Sequence, residues 1–94
     1  MVPDLSQING LDGYTTKPEK SRVLYQKQDK TFLVVNKNTI EVRCDEKLSN
    51  VLDEKYESVM ESRYFGRGGI EIVLAGQLKT DEIADLIRLS YDLS

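Results

Sequence analysis

The stretch Gly69-Ile70-Glu71-Ile72-Val73-Leu74 decides the fold, together with the segment that follows it. Its isoleucines and its leucine recur at every second position, which is the period of a β-strand with one apolar face. Gly76 then ends the apolar run, since glycine favours turns over strands. This stretch therefore predicts a strand, the fourth of the chain, that leads into a turn.

A helix is predicted after this strand, in the segment from Thr80 to Ser94. Thr80 is of a residue type that favours the N-cap position. Asp81 and Glu82 follow it in the first turn, where the helix dipole favours negative charge. The apolar residues of the segment recur at helical spacing and predict one buried stripe, formed by Ile83, Leu86, Ile87 and Tyr91.

The middle of the chain predicts an antiparallel meander of three strands, at residues 22–27, 30–35 and 39–44. Two turn sequences, Gln28-Asp29 and Asn36-Lys37-Asn38, separate these strands. The third strand alternates most clearly, which assigns its residues to two faces. The inward residues are Ile40, Val42 and Cys44, and the outward residues are Glu41 and Arg43.

A second helix and a long connection complete the predicted order. Asp45 is expected to cap a helix that fades near Tyr56 and whose apolar face is Leu48, Val51 and Leu52. Residues 57–68 are interpreted as a connection, and residues 1–21 as a short N-terminal segment with one helical turn before Gly10. Residues 22–94 then form an α+β domain, an antiparallel sheet of about four or five strands covered on one face by helices.

Composition excludes several classes of function. The 94 residues suit one domain, with a net charge of −3 and a pI near 4.9. The chain has no histidine and one cysteine, which excludes His-based catalysis, a Cys-based zinc site and an internal disulfide. We expect a non-enzymatic protein without a cofactor. We expect it in the cytoplasm and not in a membrane, because it lacks a signal-peptide pattern and an apolar run of roughly 20 residues.

Four segments of the chain, in order, resemble motifs of the MmcQ/YjbR family, whose members have a frataxin-like (CyaY-like) α+β fold. Ile8-Asn9-Gly10 resembles the end of the family's first helix, and residues 23–32 resemble its hairpin. Residues 40–45 resemble its strand into helix, and residues 74–93 resemble its C-terminal ending. The chain departs from the family in its short first helix and at Gly68-Gly69, where the family usually has a His-Trp pair.

The resemblance implies a binding domain, because members of the family are commonly described as DNA-binding proteins. The residues proposed to contact phosphate are Arg63, Arg67, Lys37, Arg43 and Lys30. Tyr64 and Phe65, which lie between the two arginines, could stack on bases. The alternative is that these aromatic residues fold back onto the core and that the lysines protect the edges of the sheet.

Other residues that could carry chemistry have simpler explanations. Asp81, Glu82 and Asp85 could bind iron or a hard cation, as the likeness to frataxins suggests, but compensation of the helix dipole explains them better. We therefore expect no bound metal. Cys44 is expected to be a packing residue rather than a reactive thiol, because it lies on the inward face of its strand.

The sequence leaves two classes of partner open. One is a nucleic acid, bound weakly and without sequence preference, although the acidic composition argues mildly against a polyanion. The other is a protein or a second copy of the chain, docked on the sheet side that the short first helix leaves bare. This side would be closed by dimerisation, by a preceding domain of a longer protein or by the N-terminal segment folding back.

Overall fold

The computed structural model of this chain describes residues 5–8 and 10–94. They form a six-stranded sheet in which all neighbouring strands are antiparallel, with two helices packed on one face. The predicted α+β fold is therefore confirmed. In chain order the elements are β1 Thr15–Pro18, β2 Val23–Lys27, β3 Lys30–Val35, β4 Thr39–Arg43, α1 Glu46–Lys55, β5 Val59–Ser62, β6 Gly66–Val73 and α2 Thr80–Leu93.

The two edge strands, β1 and β5, lie where the sequence predicts loop and connection. The strand order across the sheet is β1-β2-β3-β4-β6-β5, so that both edges are short strands of four residues. All residues of β1 are exposed, and β5 is buried only at its two ends, Val59 and Ser62. Neither strand alternates between apolar and polar residues, and so neither gives the period-two signal that reveals the other strands.

The β2–β3 hairpin turns tightly at Gln28 and Asp29, which confirms the predicted turn. Both residues have positive φ angles, 50° and 68°, as in the type I′ turns that match the twist of paired strands. A bulge opposite Tyr25 and Gln26 places one extra residue in β3. As a result, the adjacent residues Phe32 and Leu33 are both fully buried.

The hydrophobic core lies between the sheet and the helices. α2 packs on β3 and β4, whereas α1 packs on β5 and β6. The predicted inward residues of β4 and the predicted apolar stripe of α2 belong to this core or pack against it. Its most buried members are Phe32, Leu33, Ile40, Val42, Ile70, Ile72, Ile83 and Ile87. Within the described residues, neither helix is long and apolar enough to cross a membrane.

The predicted apolar face of α1 is wrong in one position, because Val51 does not face the core. Val51 is 56% exposed, whereas Leu48 and Leu52 pack against the core. Successive helical residues are rotated by about 100°, so that Val51 lies to the side of the stripe that Leu48 and Leu52 share. A β-branched apolar residue is therefore left at the surface of this helix.

Both helices begin with a carboxylate that accepts an otherwise unpaired N–H group. The Asp45 side chain accepts from the Leu48 backbone N–H at 2.9 Å, which confirms the predicted cap of α1. The predicted cap of α2 is wrong, because the N-cap residue is Lys79 rather than Thr80. The backbone N–H of Lys79 donates to the Glu82 carboxylate at 3.0 Å, so that Glu82 anchors the start of α2.

The N-terminal segment belongs to the same core as the helices. Leu5, in the 3-10 turn Leu5–Gln7, and Leu11 are each 6% exposed, and Ile8 packs against the core. Gly10 has a φ angle of 92°, a conformation that suits glycine. Of the three expected ways to close the bare side, the structure shows the segment folding back. Residues 1–4 and Asn9 of the predicted 1–21 segment lie outside the described residues.

Ser90 fixes α2 to the sheet through a buried polar contact. The regular pairing of β3 with β4 ends at Leu33 and Val42, because the bulge interrupts the next pair. The fully buried Ser90 hydroxyl accepts from the Arg43 backbone N–H at 2.7 Å and donates to the Phe32 backbone carbonyl. This one side chain therefore satisfies two backbone groups that the ladder leaves unpaired.

We predict that Ser90→Ala lowers the free energy of unfolding by about 2–3 kcal/mol, because it leaves a buried N–H and a buried C=O without partners. Urea denaturation followed by circular dichroism measures this change. The control is Ser21→Ala, at an exposed position, for which the change should stay within about 0.5 kcal/mol. A Ser90→Ala variant as stable as the unsubstituted chain would contradict this role of the hydroxyl.

Candidate functional site

The sheet face opposite the helices, the open face, carries a row of residues aligned across all six strands. The strand register places in this row Lys17, Leu24, Val34, Glu41, Glu71 and Met60. Glu41 and Glu71 are directly opposite each other on the adjacent strands β4 and β6, and are only 2% and 3% exposed. Like charges in directly opposite positions destabilise a sheet. The two buried carboxylates therefore require partners.

Glu41 accepts hydrogen bonds from three different groups. The donors are the Asn36 side-chain amide at 2.9 Å, the Ser62 hydroxyl at 2.8 Å and the Tyr64 backbone N–H at 2.8 Å. Burial raises the pKa of Glu41, but the hydrogen bonds from these groups outweigh it and hold the pKa below 4.5. The sequence predicts an outward Glu41. The side chain does lie on the outward face, but it is buried there, because the residues after β5 cover it.

Glu71 is held mainly by a forked ion pair. The Arg63 guanidinium donates to both carboxylate oxygens of Glu71, at 3.0 Å and 2.8 Å. The hydrogen bonds and the charge of Glu71 raise the pKa of Arg63. The Thr39 hydroxyl also donates to Glu71 at 2.8 Å and accepts from the Asn36 amide at 3.0 Å. Asn36 and Thr39 therefore join the two carboxylates into one hydrogen-bonded network.

The turn at residues 63–65, between β5 and β6, folds back over the open face. Ser62 shapes this turn, because its hydroxyl accepts from the backbone N–H groups of Tyr64 and Phe65, at 3.2 Å and 2.9 Å. Phe65 then packs against Gly69. A Cβ atom at position 69 would lie 2.7 Å from the Phe65 side chain and 2.5 Å from the Val42 carbonyl oxygen. Only glycine fits there, which gives this residue a packing role.

Tyr64 is the centre of an exposed patch on the open face. Tyr64 is 38% exposed, and its hydroxyl shares a hydrogen bond of 3.2 Å with the Thr31 hydroxyl. The Arg22 guanidinium lies 5.1 Å from the centre of the ring. Met60, which is opposite Glu71 in the register, is 40% exposed, and the Arg63 side chain is 75% exposed. We call these residues, Arg22, Met60, Arg63 and Tyr64, the Tyr64 patch.

The structure separates the five residues proposed to contact phosphate. Arg63 is held by Glu71, and Arg43 donates to the Thr31 carbonyl at 2.8 Å while its guanidinium lies 4.9 Å from the Phe65 ring. Arg67 and Lys30 are exposed, at the start of β6 and of β3. Lys37 is also exposed but follows the other end of β3, about 20 Å from Lys30 by the rise of a strand. The five residues therefore do not form one patch.

Several residues of this face are not singled out by the sequence pattern. Glu41 and Glu71 each lie between two apolar residues of a strand, which indicates an exposed face just as well as a covered one. One feature of the sequence could have indicated the pair: each glutamate lies between two apolar residues of a strand, and the two strands could pair with the glutamates opposite each other. Arg22 and Met60 have no comparable signal, because their place in the patch depends on long-range pairing.

The remaining candidate residues take no part in this site. Burial raises the pKa of the Cys44 thiol to about 11, helped by the charge of Asp45, so that Cys44 acts as a buried packing residue. Asp81 and Asp85 are exposed on α2, on the opposite side of the sheet. Residues 5–8 and 10–94 contain no group of three or more Asp, Glu, His or Cys side chains arranged to hold a metal ion.

The chain matches no protein-family model, no curated protein and no solved structure. The resemblance to the MmcQ/YjbR family therefore stays a prediction.

We predict that Glu41→Gln lowers the free energy of unfolding at neutral pH by about 1–3 kcal/mol, because an amide replaces an acceptor that three donors surround. The folded-state pKa of Glu41 is below its unfolded value of 4.5. Its charge therefore stabilises the fold fully above pH 4.5, and this stabilisation is lost as the pH falls through the folded-state pKa.

The measurement is urea denaturation of both chains at several pH values from neutral to acidic. The difference in stability between the unsubstituted chain and Glu41→Gln should shrink below pH 4.5. Glu61→Gln, at an exposed position of β5, is the control and should behave as the unsubstituted chain. A difference that is independent of pH would show that the charge of Glu41 does not matter.

Proposed function

We propose that this chain is a non-enzymatic, cytoplasmic protein-interaction module that contacts its partner through the Tyr64 patch. The observation that carries the proposal is an exposed tyrosine ring that is fixed on both sides. Its hydroxyl bonds to Thr31, its backbone N–H bonds to Glu41, and the Arg22 guanidinium lies over its ring. A large, partly apolar side chain held rigidly at the surface is the kind of residue that dominates binding energy in interfaces.

The composition of the patch supports a protein partner. Tyrosine, arginine and methionine are enriched in the central parts of interfaces, and the Tyr64 patch contains all three types. Because Tyr64 and Arg63 are already held by internal contacts, binding does not have to order them. Pre-organised side chains lose less conformational entropy on association, so that a small patch can contribute useful affinity.

The unused hydrogen-bond donors of the patch suit a partner segment that combines a carboxylate with an apolar group. Arg63 directs two of its five N–H donors to Glu71, and its other donors remain available on a side chain that is 75% exposed. Tyr64 and Met60 supply apolar area beside it. A carboxylate of the partner could therefore bind Arg63 without displacing Glu71.

Weak nucleic-acid binding is the second candidate function. It is supported by two exposed cations, Arg67 and Lys30, which lie near the same end of the sheet as Arg43. The resemblance to a family described as DNA-binding agrees with it. It is less favoured than protein binding, because Arg63 and Arg43 have internal partners and the chain carries a net charge of −3.

We predict that a photo-crosslinker in place of Met60, such as p-benzoylphenylalanine, forms a covalent product with one defined protein in a lysate of the source cells. Adding Tyr64→Ala should weaken this product strongly, since loss of a central tyrosine costs about 2 kcal/mol or more, roughly 30-fold in affinity. Crosslinked products are separated by electrophoresis and identified by mass spectrometry. Thermal melts of each variant establish that it is folded.

The matched control carries the same crosslinker at Val51, an exposed apolar position on α1 on the other side of the sheet. The protein that crosslinks from position 60 should not crosslink from position 51. Equal products from both positions, or a product that folded Tyr64→Ala leaves unchanged, would contradict the proposed surface. A product of twice the monomer mass would identify the partner as a second copy of the chain.

For the second candidate, we predict that any binding of duplex DNA is weak, independent of sequence and lost as salt rises. Fluorescence anisotropy measures the affinity for two unrelated duplexes, at low salt and at about 0.3 M salt. Arg67→Ala should weaken low-salt binding more than Lys37→Ala, because Lys37 follows the end of β3 that is remote from Lys30. Binding that survives 0.3 M salt or differs between the duplexes would contradict this expectation.

A further inference from the structure

A groove runs between the two helices, on the side of the sheet opposite the Tyr64 patch. α1 packs on β5 and β6 whereas α2 packs on β3 and β4, and residues of both helices line the space between them. The groove contains a cavity of about 220 Å³ with apolar walls and a carboxylate edge. Its lining residues are Leu52, Tyr56, Leu78, Glu82, Asp85 and Leu86.

The walls of the groove are apolar side chains that the core does not fully cover. Leu52 of α1, the C-cap residue Tyr56 and Leu86 of α2 are half-buried, and Leu78 forms a buried wall at 7% exposure. The cavity is smaller than the roughly 300–1,000 Å³ of sites for drug-sized ligands. It is several times larger than the roughly 30 Å³ that one water occupies in the liquid. Its size therefore suits one inserted apolar side chain.

Both charged residues that line this groove, Glu82 and Asp85, are acidic, and the two helices beside it are acidic as wholes. α1 and α2 together carry seven acidic and three basic residues, a formal charge of −4. The whole chain has a charge of −3, so that all residues outside the helices sum to +1. Asp85 is exposed at the edge of the groove, and Glu82 uses one carboxylate oxygen for the Lys79 N–H and has a second one available.

We propose that this groove binds a basic amphipathic helix of a partner protein. An apolar residue of that helix inserts between Leu52 and Leu86, while a lysine or arginine on its flank pairs with Asp85 at the edge. Binding of an amphipathic helix in an apolar groove is an established mode of recognition, and complementary charge fixes its orientation and speeds association. The site is independent of the Tyr64 patch and would give the domain a second contact surface.

A pair of synthetic peptides tests this proposal. Both have about four helical turns with leucines at helical spacing on one face. One carries lysines on the flanks of that face, and the other carries glutamates at the same positions. Each peptide is titrated into the isotope-labelled chain and followed by NMR. The lysine peptide should bind saturably and shift the methyl signals of Leu52 and Leu86. The ring signals of Tyr64 should not shift.

Two charge-reversing variants test whether the acidic residue at the edge of the groove selects the lysine peptide. Asp85→Lys should weaken binding of the lysine peptide about tenfold and improve binding of the glutamate peptide. Glu54→Lys makes the same change in charge, but position 54 is rotated by roughly 200° from Leu52 on α1, away from the groove. It should therefore change affinity less than twofold. Both positions are exposed, so that neither substitution disturbs the core.

Three results would overturn the proposal. Equal binding of the two peptides would show that charge does not select the partner. No saturable shift at Leu52 or Leu86 would show that the groove does not bind such a helix. Self-association of the chain that shifts the same methyl signals in the absence of peptide would assign the groove to a second copy of the chain.

Discussion

The burial of two glutamates opposite each other is the constraint on which the open face depends. Glu41 and Glu71 are neighbours across β4 and β6, and both are almost fully buried. An unpaired carboxylate in the interior is very unfavourable, so that each must be surrounded by donors. Most of those donors come from the end of β5 and the residues that follow it, namely Ser62, Arg63 and the Tyr64 backbone. The turn at 63–65 is therefore required to fold back over the sheet.

The exposed patch follows from the same arrangement. The Tyr64 backbone is tied to Glu41, which holds the residue above the open face, and its hydroxyl reaches Thr31 on β3. Arg63 reaches Glu71 from the adjacent position, with most of its side chain left exposed. The surface proposed to bind a partner is thus the outer side of the network that neutralises the buried charges. Stability of the sheet and geometry of the patch depend on the same hydrogen bonds.

The sequence predicts correctly those features that depend on hydrophobic periodicity or on a local helix cap. The stripe that includes Ile83 and Ile87, the alternation of β4 and the Asp45 cap are local patterns that the structure retains. The edge strands and the burial of Glu41 are different, because they depend on pairing between distant segments. Alternation assigns a side chain to a face of the sheet but does not reveal what covers that face. The network of the open face therefore could not be predicted from the sequence.

The net charge of the sequence does not reveal which charges a partner meets, because this also depends on which charged residues the fold pairs with each other. Arg63 and Arg22 are paired with Glu71 and Glu19, so that each contributes little net charge to its surroundings. The acidic residues of α2, in contrast, lie mostly at the surface. A partner senses charges within a Debye length of about 8–10 Å rather than the total of the chain. Aromatic and apolar contacts should therefore dominate recognition at the open face, whereas complementary charge should contribute more at the groove between the helices.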